Sequence, residues 1–249
     1  MNLSKFSRNL TVIPLSIGLS IISSLPKIGL SESPVARRFP NLQISQKFIP
    51  PNRQAPRTTS GGGSRGTFCE GSKETLIPLI PPNKLGLTLG ERPTFYVFVP
   101  QIPVKNAFFS LLDKNNIVYT TTFALPQKPG IIGFTLPANA PSLKVGKQYQ
   151  WYVAIACSLD EPEQEMAVNG WVERIQPTRT FSTKLARTNP KEVSQVYANA
   201  GIWYEALHTL IKQRLNAPGD RTFIANWRAF LESAGLKNLV SQPLINNSK

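Results

Sequence analysis

The stretch 147–175 constrains the fold of this chain more than any other. In its first part, 148–157, every second side chain is apolar, as on one side of an extended strand. These apolar side chains are Tyr149, Trp151, Val153, Ile155 and Cys157. An acidic turn leads to a second strand-like segment, 167–175. A strand with one large apolar side needs a second layer to cover it, so the pattern predicts a packed, two-layered β structure.

Seven segments in all are rich in β-branched and aromatic residues and are bounded by turn-forming residues. They are 75–80, 94–99, 106–112, 117–124, 131–136, 148–157 and 167–175. The turns between them contain the proline, asparagine and glycine that set turn dihedral angles. No helical periodicity separates the segments. The spacing predicts an antiparallel β-sandwich of the immunoglobulin or fibronectin type over residues 67–181.

Residues 189–239 carry helical signals instead of strand signals. Asn189 is a favourable N-cap, Pro190 suits the first helical position, and Glu192 can return a hydrogen bond to the cap. Gly201 is expected to end this first helix, because glycine readily adopts the left-handed conformation found there. These signals predict a capped helix that starts at Pro190.

Two further helices are predicted from apolar residues at helical spacing. The second starts near Trp203 and closes at 218–219, and the third ends in a Schellman turn at 235–236. The apolar face of the third helix comprises Phe223, Ile224, Trp227, Phe230 and Leu231. The chain is therefore predicted to be α+β, with a sandwich, a small helical hairpin, a third helix and a disordered tail at 240–249.

The segment 197–207 is similar to the turn and second helix of one tetratricopeptide repeat. In that repeat, aromatic residues, a turn glycine and a small alanine let two helices pack closely. Stacked repeats need neighbours to bury their faces, so two interpretations stay open: a helical cap on the sandwich and a peptide-binding groove. Four aromatic side chains of the helical region are the candidate interaction surface. They are Tyr197, Trp203, Tyr204 and Trp227.

The N-terminus has the pattern of a secretory signal peptide, predicted over 1–36. Lys5 and Arg8 precede an apolar run, 10–25, and small residues follow it. The run is shorter than the roughly 20 residues that span a membrane. Cleaved export, with cleavage between 31 and 37, is therefore favoured over an uncleaved anchor. The protein is expected in the periplasm or cell envelope, with membrane contact only if this segment is retained.

A basic, proline- and glycine-rich segment, 37–66, follows, and its composition predicts a disordered tether. The net charge of the chain is +14. Residues 1–66 contain nine Lys or Arg against one acid, and therefore carry +8 of that charge. The remaining +6 is spread without the clustered stripe that follows a phosphate backbone. The charge therefore does not indicate a nucleic-acid-binding protein.

The chain has two cysteines, Cys69 and Cys157. They are too few and too far apart for a zinc site, whose ligands come in close pairs. In an oxidising compartment two such cysteines are expected to form one disulfide, and two free buried thiols are the alternative. The disulfide would tie the segment before the first strand to the end of the strand 148–157.

No pattern of residues predicts catalysis, a metal site or a cofactor. The single histidine, His208, has only Glu205 nearby and is expected at the surface. A group of four carboxylates fits a solvated hairpin loop better than a calcium site. These carboxylates are Asp160, Glu161, Glu163 and Glu165. Trp151 and Trp171 are expected to be core partners across paired strands, and an exposed tryptophan that stacks on a sugar is the alternative.

Several segments in combination resemble those of one family. They are Cys69, 93–100, 146–151, Cys157, 170–174 and 201–207. The chain is similar over about 69–236 to the domain-of-unknown-function 928 family of mostly cyanobacterial exported proteins. The resemblance implies a bacterial envelope setting, and it brings no established activity and no catalytic residues.

The expected function is that of a non-enzymatic exported protein that binds another envelope protein. The contact would be made through the edge of the sandwich or through the helical region. Two alternatives stay open: a carbohydrate or cell-wall-binding module, and a hydrolase that acts on envelope polysaccharide. The hydrolase would need an acid pair that only folding brings together.

Overall fold

The structure, a computed structural model, describes residues 46–56, 69, 74–157 and 165–246. The predicted signal peptide and most of the predicted tether lie outside these residues. Three of the four carboxylates of the acidic loop, Asp160, Glu161 and Glu163, also lie outside them, as do residues 247–249.

The described part of the chain contains eight strands in two sheets. They are β1 (Ile77–Pro78), β2 (Leu85–Thr88), β3 (Thr94–Val99), β4 (Asn106–Asp113), β5 (Asn116–Ala124), β6 (Gly130–Thr135), β7 (Gln148–Ala156) and β8 (Glu165–Arg174). The smaller sheet has the order β1-β3-β6, and the larger has the order β2-β8-β7-β4-β5. Each of the seven predicted segments overlaps one strand. Strand β2 was not predicted, because it is short and contains a glycine.

Strands β2 and β8 are parallel, whereas the other paired strands named above are antiparallel. Leu85 lies opposite Trp171, and Thr88 lies opposite Arg174. The prediction of a purely antiparallel sandwich is therefore wrong at this edge. Parallel neighbours need a long crossover, and here the strands β3 to β7 provide it. The α+β class is confirmed, while the immunoglobulin or fibronectin type stays a prediction.

Aromatic side chains form the core between the two sheets. The Phe95 ring of β3 lies 5.1 Å from the Phe109 ring of β4 and 5.3 Å from the Trp151 ring of β7. The predicted apolar side of β7 is buried at Tyr149, Trp151, Val153 and Ile155. The predicted disulfide between Cys69 and Cys157 is confirmed, and it joins residues 88 positions apart. The two layers are thus held by packing, and the disulfide ties the segment before β1 to the end of β7.

Trp151 and Trp171 are both buried, but they do not face each other. Trp151 lies opposite Gly170, and Trp171 lies opposite Gln150. Successive residues of a strand point to opposite faces, so the two indoles lie on opposite sides of the sheet. The prediction that they are partners is therefore wrong. Gly170 is needed at its position because a Cβ there would lie 2.9 Å from the Trp151 ring.

Four helices follow the sheets in the described residues. They are α1 (Arg179–Ala186), α2 (Val193–Asn199), α3 (Trp203–Asn216) and α4 (Arg221–Ser233). Helix α1 was not predicted, although Thr178 caps it by accepting a 3.2 Å hydrogen bond from the Phe181 N–H. A single 3₁₀ turn, Lys237–Leu239, comes after α4. The predicted hairpin with a third helix corresponds to α2, α3 and α4.

Helix α2 starts at Val193, three residues after the predicted position. The Asn189 side chain accepts a 3.0 Å bond from the Lys191 N–H and forms a turn ahead of the helix. Residue Glu192 occupies the N-cap without a side-chain hydrogen bond. The predicted capping box is therefore wrong, because Asn189 satisfies a nearer backbone N–H.

The structure confirms that α2 and α4 each end at the predicted glycine. At the end of α2, Gly201 has a φ of 71°, and the Ile202 N–H donates to the Tyr197 carbonyl at 3.0 Å. After α4, the Leu236 N–H donates to the Leu231 carbonyl at 2.8 Å in the same Schellman pattern.

The predicted disordered tail is wrong for residues 240–246. Leu244 forms a parallel bridge with Ile131 of β6. The Ile131 N–H donates to the Pro243 carbonyl at 2.8 Å, and the Ile245 N–H donates to the Ile131 carbonyl at 2.9 Å. The tail is ordered because it continues the smaller sheet beyond β6.

Candidate functional site

An N-terminal strap, residues 46–56, packs on the helices. The Phe48 ring lies 4.8 Å from the Trp203 ring and 6.0 Å from the Phe230 ring, in edge-to-face geometry with both. The Phe48 N–H donates a 2.9 Å hydrogen bond to the Ser233 hydroxyl. Only 5% of Phe48 is exposed. The prediction of a disordered tether is therefore wrong for these residues.

The strap is extended, and its side chains alternate between the helices and solvent. Gln46 and Phe48 are buried, whereas Lys47 and Ile49 are exposed. The Ile49 N–H donates to the Ala198 carbonyl of α2 at 3.2 Å. Two apolar residues in a polar, basic stretch are a weak sequence signal, which is why composition alone indicated a tether.

The strap continues to the outer surface of the larger sheet. Arg53 forms an ion pair with the buried carboxylate of Glu173. The Gln148 side chain donates to the same carboxylate at 2.8 Å. The Asn83 side chain donates to the Arg53 carbonyl at 2.9 Å. The strap thus supplies the positive partner that a buried carboxylate requires.

Three of the four predicted interaction residues belong to the core. Trp203, Tyr204 and Trp227 are between 0% and 2% exposed, and only Tyr197 is half-buried. The Trp203 indole donates to the Leu79 carbonyl at 3.0 Å, which ties α3 to the segment after β1. The predicted surface is wrong at the three buried positions, because their rings join the helices to the sheets. The helices are in this respect a cap on the sheets.

Tyr204 is the central residue of this junction. Its hydroxyl accepts a 2.8 Å hydrogen bond from the Trp151 indole and donates a 3.2 Å bond to the Trp171 carbonyl. Gly86 of β2 leaves room for the ring, since a Cβ there would lie 2.6 Å from the Tyr204 Cε2. Burial raises the pKa of Tyr204 well above its ordinary value. The Tyr204 hydroxyl therefore keeps its proton, which it donates to the Trp171 carbonyl.

Glu205 lies in the first turn of α3 and holds the end of β2. Its Oε1 accepts hydrogen bonds from the Thr88 hydroxyl at 2.8 Å, the Leu89 N–H at 2.9 Å and the Gly90 N–H at 3.0 Å. Its Oε2 is buried without a hydrogen-bond partner. Burial raises the pKa of Glu205, although the bonds to Oε1 act in the opposite direction.

His208 is half-buried, so the prediction of a surface histidine is wrong. Its Nδ1 lies 2.7 Å from the Tyr96 hydroxyl of β3. Burial, assisted by the charge of Lys212, lowers the pKa of His208. Burial also raises the pKa of Tyr96. The sequence could not indicate the pair, because the two residues are 112 positions apart.

A cleft, which we name the α3 cleft, lies beside this pair, between α3 and the smaller sheet. It consists of two adjoining cavities of about 740 Å³ and 580 Å³. Both cavities are lined by Thr94, Thr135, His208 and Lys212. The apolar lining of the larger cavity comes from Phe123, Leu125, Phe134, Ile211, Leu215 and Ile245. The smaller cavity also has Arg92, Tyr197 and Glu205 in its lining.

A second surface lies at strand β5, the edge strand of the larger sheet. This strand pairs with β4 on one side, and no other described strand pairs with it. Its nine residues include no charged residue and no proline. Ile117 is 65% exposed and Val118 is 38% exposed, and Phe108 of the neighbouring β4 is 47% exposed. The β4–β5 hairpin therefore presents a long free edge with exposed apolar side chains near its turn, and its one irregularity is the register shift between Leu111 and Leu112, opposite Val118.

The structure places all four tryptophans in the interior. Trp151, Trp171, Trp203 and Trp227 are at most 7% exposed. The alternative of an exposed tryptophan for sugar stacking is therefore wrong. Among the residues with described positions, no cluster of three His, Cys, Asp or Glu could hold a metal ion. Within the same residues, no helix is both long enough and apolar enough to cross a membrane.

These features define a mixed α+β protein whose two sheets are covered by helices and by an N-terminal strap. The chain belongs to the family described as Domain of Unknown Function (DUF928), whose model matches residues 60–244. The chain matches no curated protein and no solved structure. The matched span begins after the strap, which covers residues 46–56.

Proposed function

We propose that this chain is an exported, non-enzymatic protein of the cell envelope that binds another protein through strand β5. The observation that carries the proposal is the free edge of the β4–β5 hairpin. Edge strands of monomeric proteins are usually short, charged, interrupted by proline or covered. Strand β5 has nine residues and none of the first three protections. An extended segment of a partner can therefore pair with its backbone.

The side chains around this edge are suited to an apolar partner strand. Ile117 and Val118 are exposed on β5 near the turn, and Phe108 is exposed farther along β4, beyond the pair Ser110 and Thr120. Phe108 lies opposite Thr122, so the apolar group is bordered by a threonine that can form hydrogen bonds. Pairing through the backbone would supply affinity, and these side chains would supply specificity.

The charges next to the hairpin favour an acidic partner. Lys105 precedes β4, and Lys114 lies in the turn between β4 and β5, and both are exposed. The nearby Asp113 is bound by Lys147 and does not compensate them. We therefore expect the partner to offer a short apolar strand flanked by Asp or Glu, because complementary charge at the rim fixes register and speeds association.

The test is site-specific photo-crosslinking in intact cells. A photoreactive residue is placed at position 117 on β5 and, as a control, at position 224 on α4. We expect one discrete protein adduct at position 117 and none at 224. The substitution Val118→Lys should abolish the adduct, because a charge protects an edge strand. Ile224→Lys is the matched control, since Ile224 and Val118 are both 38% exposed. An adduct that persists in Val118→Lys would exclude β5 as the contact.

Export is supported by the N-terminal pattern and by the disulfide between Cys69 and Cys157. The test is N-terminal sequencing of the protein from the envelope fraction. A start between residues 31 and 37 is expected for a cleaved signal peptide. An intact N-terminus in the membrane fraction would indicate the anchor instead, and a protein found only in the cytoplasm would overturn export.

A carbohydrate or cell-wall-binding module is the second candidate, and one observation favours it. Tyr152 lies opposite Ser110, two positions along β4 from Phe108, so both rings lie on the outer face of the larger sheet. Asn169 lies opposite Tyr152 and adds an amide to the same face. Two rings on one face of a sheet can stack on a sugar. Co-sedimentation with purified wall polysaccharide, lost in Tyr152→Ala and kept in Val118→Lys, would favour this candidate.

A further inference from the structure

We propose that the α3 cleft binds an amphiphilic carboxylate, that is, a linear hydrocarbon chain with a carboxylate head group. The head group would lie between Lys212 and His208, and the chain would lie along the apolar side of the larger cavity. The cleft touches only the C-terminal end of β5, at Phe123, whereas the first proposal rests on Ile117 and Val118 near the start of that strand, so Lys212→Ala and Val118→Lys test the two proposals separately.

The apolar side of the cleft is assembled from distant parts of the chain. Phe123 of β5 and Phe134 of β6 lie with ring centroids 5.0 Å apart. Leu215 of α3 also lines this cavity and is 36% exposed, and Ile245 of the C-terminal segment lines it too. The larger cavity has a volume of about 740 Å³ and is open to solvent along one side, so it has room for a hydrocarbon chain that lies along its wall. Its lining of rings and alkyl groups suits a hydrocarbon chain.

The polar side of the cleft offers hydrogen-bond donors and a positive charge. The Tyr96 hydroxyl is hydrogen-bonded to Nδ1 of His208, and when Tyr96 donates, the neutral imidazole carries its proton on Nε2. Lys212 lies one helical turn after His208 and lines the same cavity. Among the described residues, no carboxylate lies within ion-pair distance of Lys212. An N–H donor and an ammonium group side by side suit a carboxylate.

The other charged groups of the cleft do not favour a cation. The Oε1 of Glu205 is occupied by three donors, and its Oε2 is buried. Arg92 donates to the Pro137 carbonyl at 3.0 Å and to the Ala140 carbonyl at 2.6 Å, so its guanidinium is directed to the backbone. The accessible charge of the cleft is therefore that of Lys212, and the head group is an anion.

The experiment is isothermal titration calorimetry with the full, oxidised chain and three ligands of equal chain length. Dodecanoate, dodecanol and dodecyltrimethylammonium are compared below their aggregation concentrations. We expect dodecanoate to bind at least about tenfold more tightly than dodecanol, because the carboxylate gains charge-assisted bonds. Lys212→Ala should weaken dodecanoate about tenfold and leave dodecanol unchanged. Lys237→Ala, an exposed lysine outside the cleft, is the matched control.

A second variant tests the apolar side. Leu215→Asp places a charge against the hydrocarbon chain and should weaken dodecanoate and dodecanol alike, while its near-ultraviolet circular dichroism stays that of the wild type. The proposal is overturned if dodecanol binds as tightly as dodecanoate, or if Lys212→Ala binds dodecanoate normally. Preference for dodecyltrimethylammonium, or the absence of binding by all three ligands, would overturn it as well.

Discussion

The Trp151 indole donates a 2.8 Å hydrogen bond to the Tyr204 hydroxyl, and this bond joins the middle of the larger sheet to the first turn of helix α3. The same hydroxyl donates to the Trp171 carbonyl. Trp151 and Tyr204 are both almost completely buried. One hydroxyl therefore satisfies a donor and an acceptor that water cannot reach.

Removing this hydroxyl should be costly. We expect Tyr204→Phe to lower the free energy of unfolding by about 2 kcal/mol, because a buried N–H and a buried carbonyl lose their partner. Urea denaturation followed by circular dichroism measures the change. Tyr119→Phe is the matched control, since the Tyr119 hydroxyl makes only an exposed 3.5 Å contact with Asn139. Equal urea midpoints for Tyr204→Phe and the wild type would show that the junction contributes nothing to stability.

Gly86 should not tolerate a side chain. An added Cβ would lie 2.6 Å from the Tyr204 ring, which is buried and cannot move aside easily. We expect Gly86→Ala to destabilise the fold by about 1 to 3 kcal/mol, the range for overpacking a core. Gly219→Ala serves as the control, because no atom lies within 4 Å of an added Cβ there. Similar thermal midpoints for the two variants would contradict the close approach of β2 and α3.

The strap should contribute to stability through Phe48. Replacing this ring by alanine leaves a cavity between Trp203 and Phe230, so we expect Phe48→Ala to lower the free energy of unfolding by about 3 kcal/mol. Limited proteolysis should also cleave the strap faster in this variant. Lys47→Ala, at an exposed neighbouring position, should leave both measurements unchanged. A strap that is cleaved equally fast in the wild type and Phe48→Ala would be a tether after all.

The disulfide should stabilise the fold mainly by restricting the unfolded chain. It closes a loop of 88 residues, so the double substitution Cys69→Ser and Cys157→Ser should lower the free energy of unfolding by about 4 kcal/mol. Urea midpoints of the wild type with and without a reductant should differ in the same way. The double variant should ignore the reductant, and a wild type that also ignores it would contradict the crosslink.

Glu205 should make stability depend on pH. Its pKa is raised in the folded protein, so the folded state holds the proton more tightly than the unfolded chain. The free energy of unfolding therefore falls as the pH rises from the ordinary value of 4.5 through the raised pKa, and it is constant above that pKa. Glu205→Gln carries no ionisable group there, so its stability should lack this fall.

The measurement compares urea denaturation of Glu205→Gln and the wild type between about pH 4 and pH 8. The lowered pKa of His208 acts in the opposite direction, since it reduces stability as the pH falls below 6.5, but it is common to both proteins. Glu232→Gln, an exposed position on α4, is the control and should follow the wild type. Parallel pH profiles for Glu205→Gln and the wild type would rule out an effect of Glu205.

Local signals in the sequence were sufficient for most elements of the fold. The alternation of β7 identified its buried side, and the glycines after α2 and α4 marked the helix ends, because both depend on residues a few positions apart. Strand β2 was missed because four residues containing Gly86 have little strand character of their own. Its pairing is determined by contact with β8, which no local pattern contains.

The candidate site was harder to predict than the fold, because its contacts also join residues that are far apart along the chain. Trp203, Tyr204 and Trp227 were expected at a surface, because a helix pattern identifies an apolar face without saying what covers it. The sheets and the strap cover these residues. The cleft also combines His208 with Tyr96, 112 positions earlier, and such a pair exists only after folding. Conversely, the order of the strap depends on a few specific contacts, made by Phe48, Ile49 and Arg53, in a segment whose average composition indicated flexibility.

The contacts of the strap have a consequence for the rate of folding. The Phe48 N–H and the Ser233 hydroxyl that accepts its hydrogen bond are 185 residues apart, and the partner strands β2 and β8 are also far apart along the chain. Contacts of high sequence separation slow folding, because long loops must close before the contacts form. The native state is therefore reached only after the last helix is available.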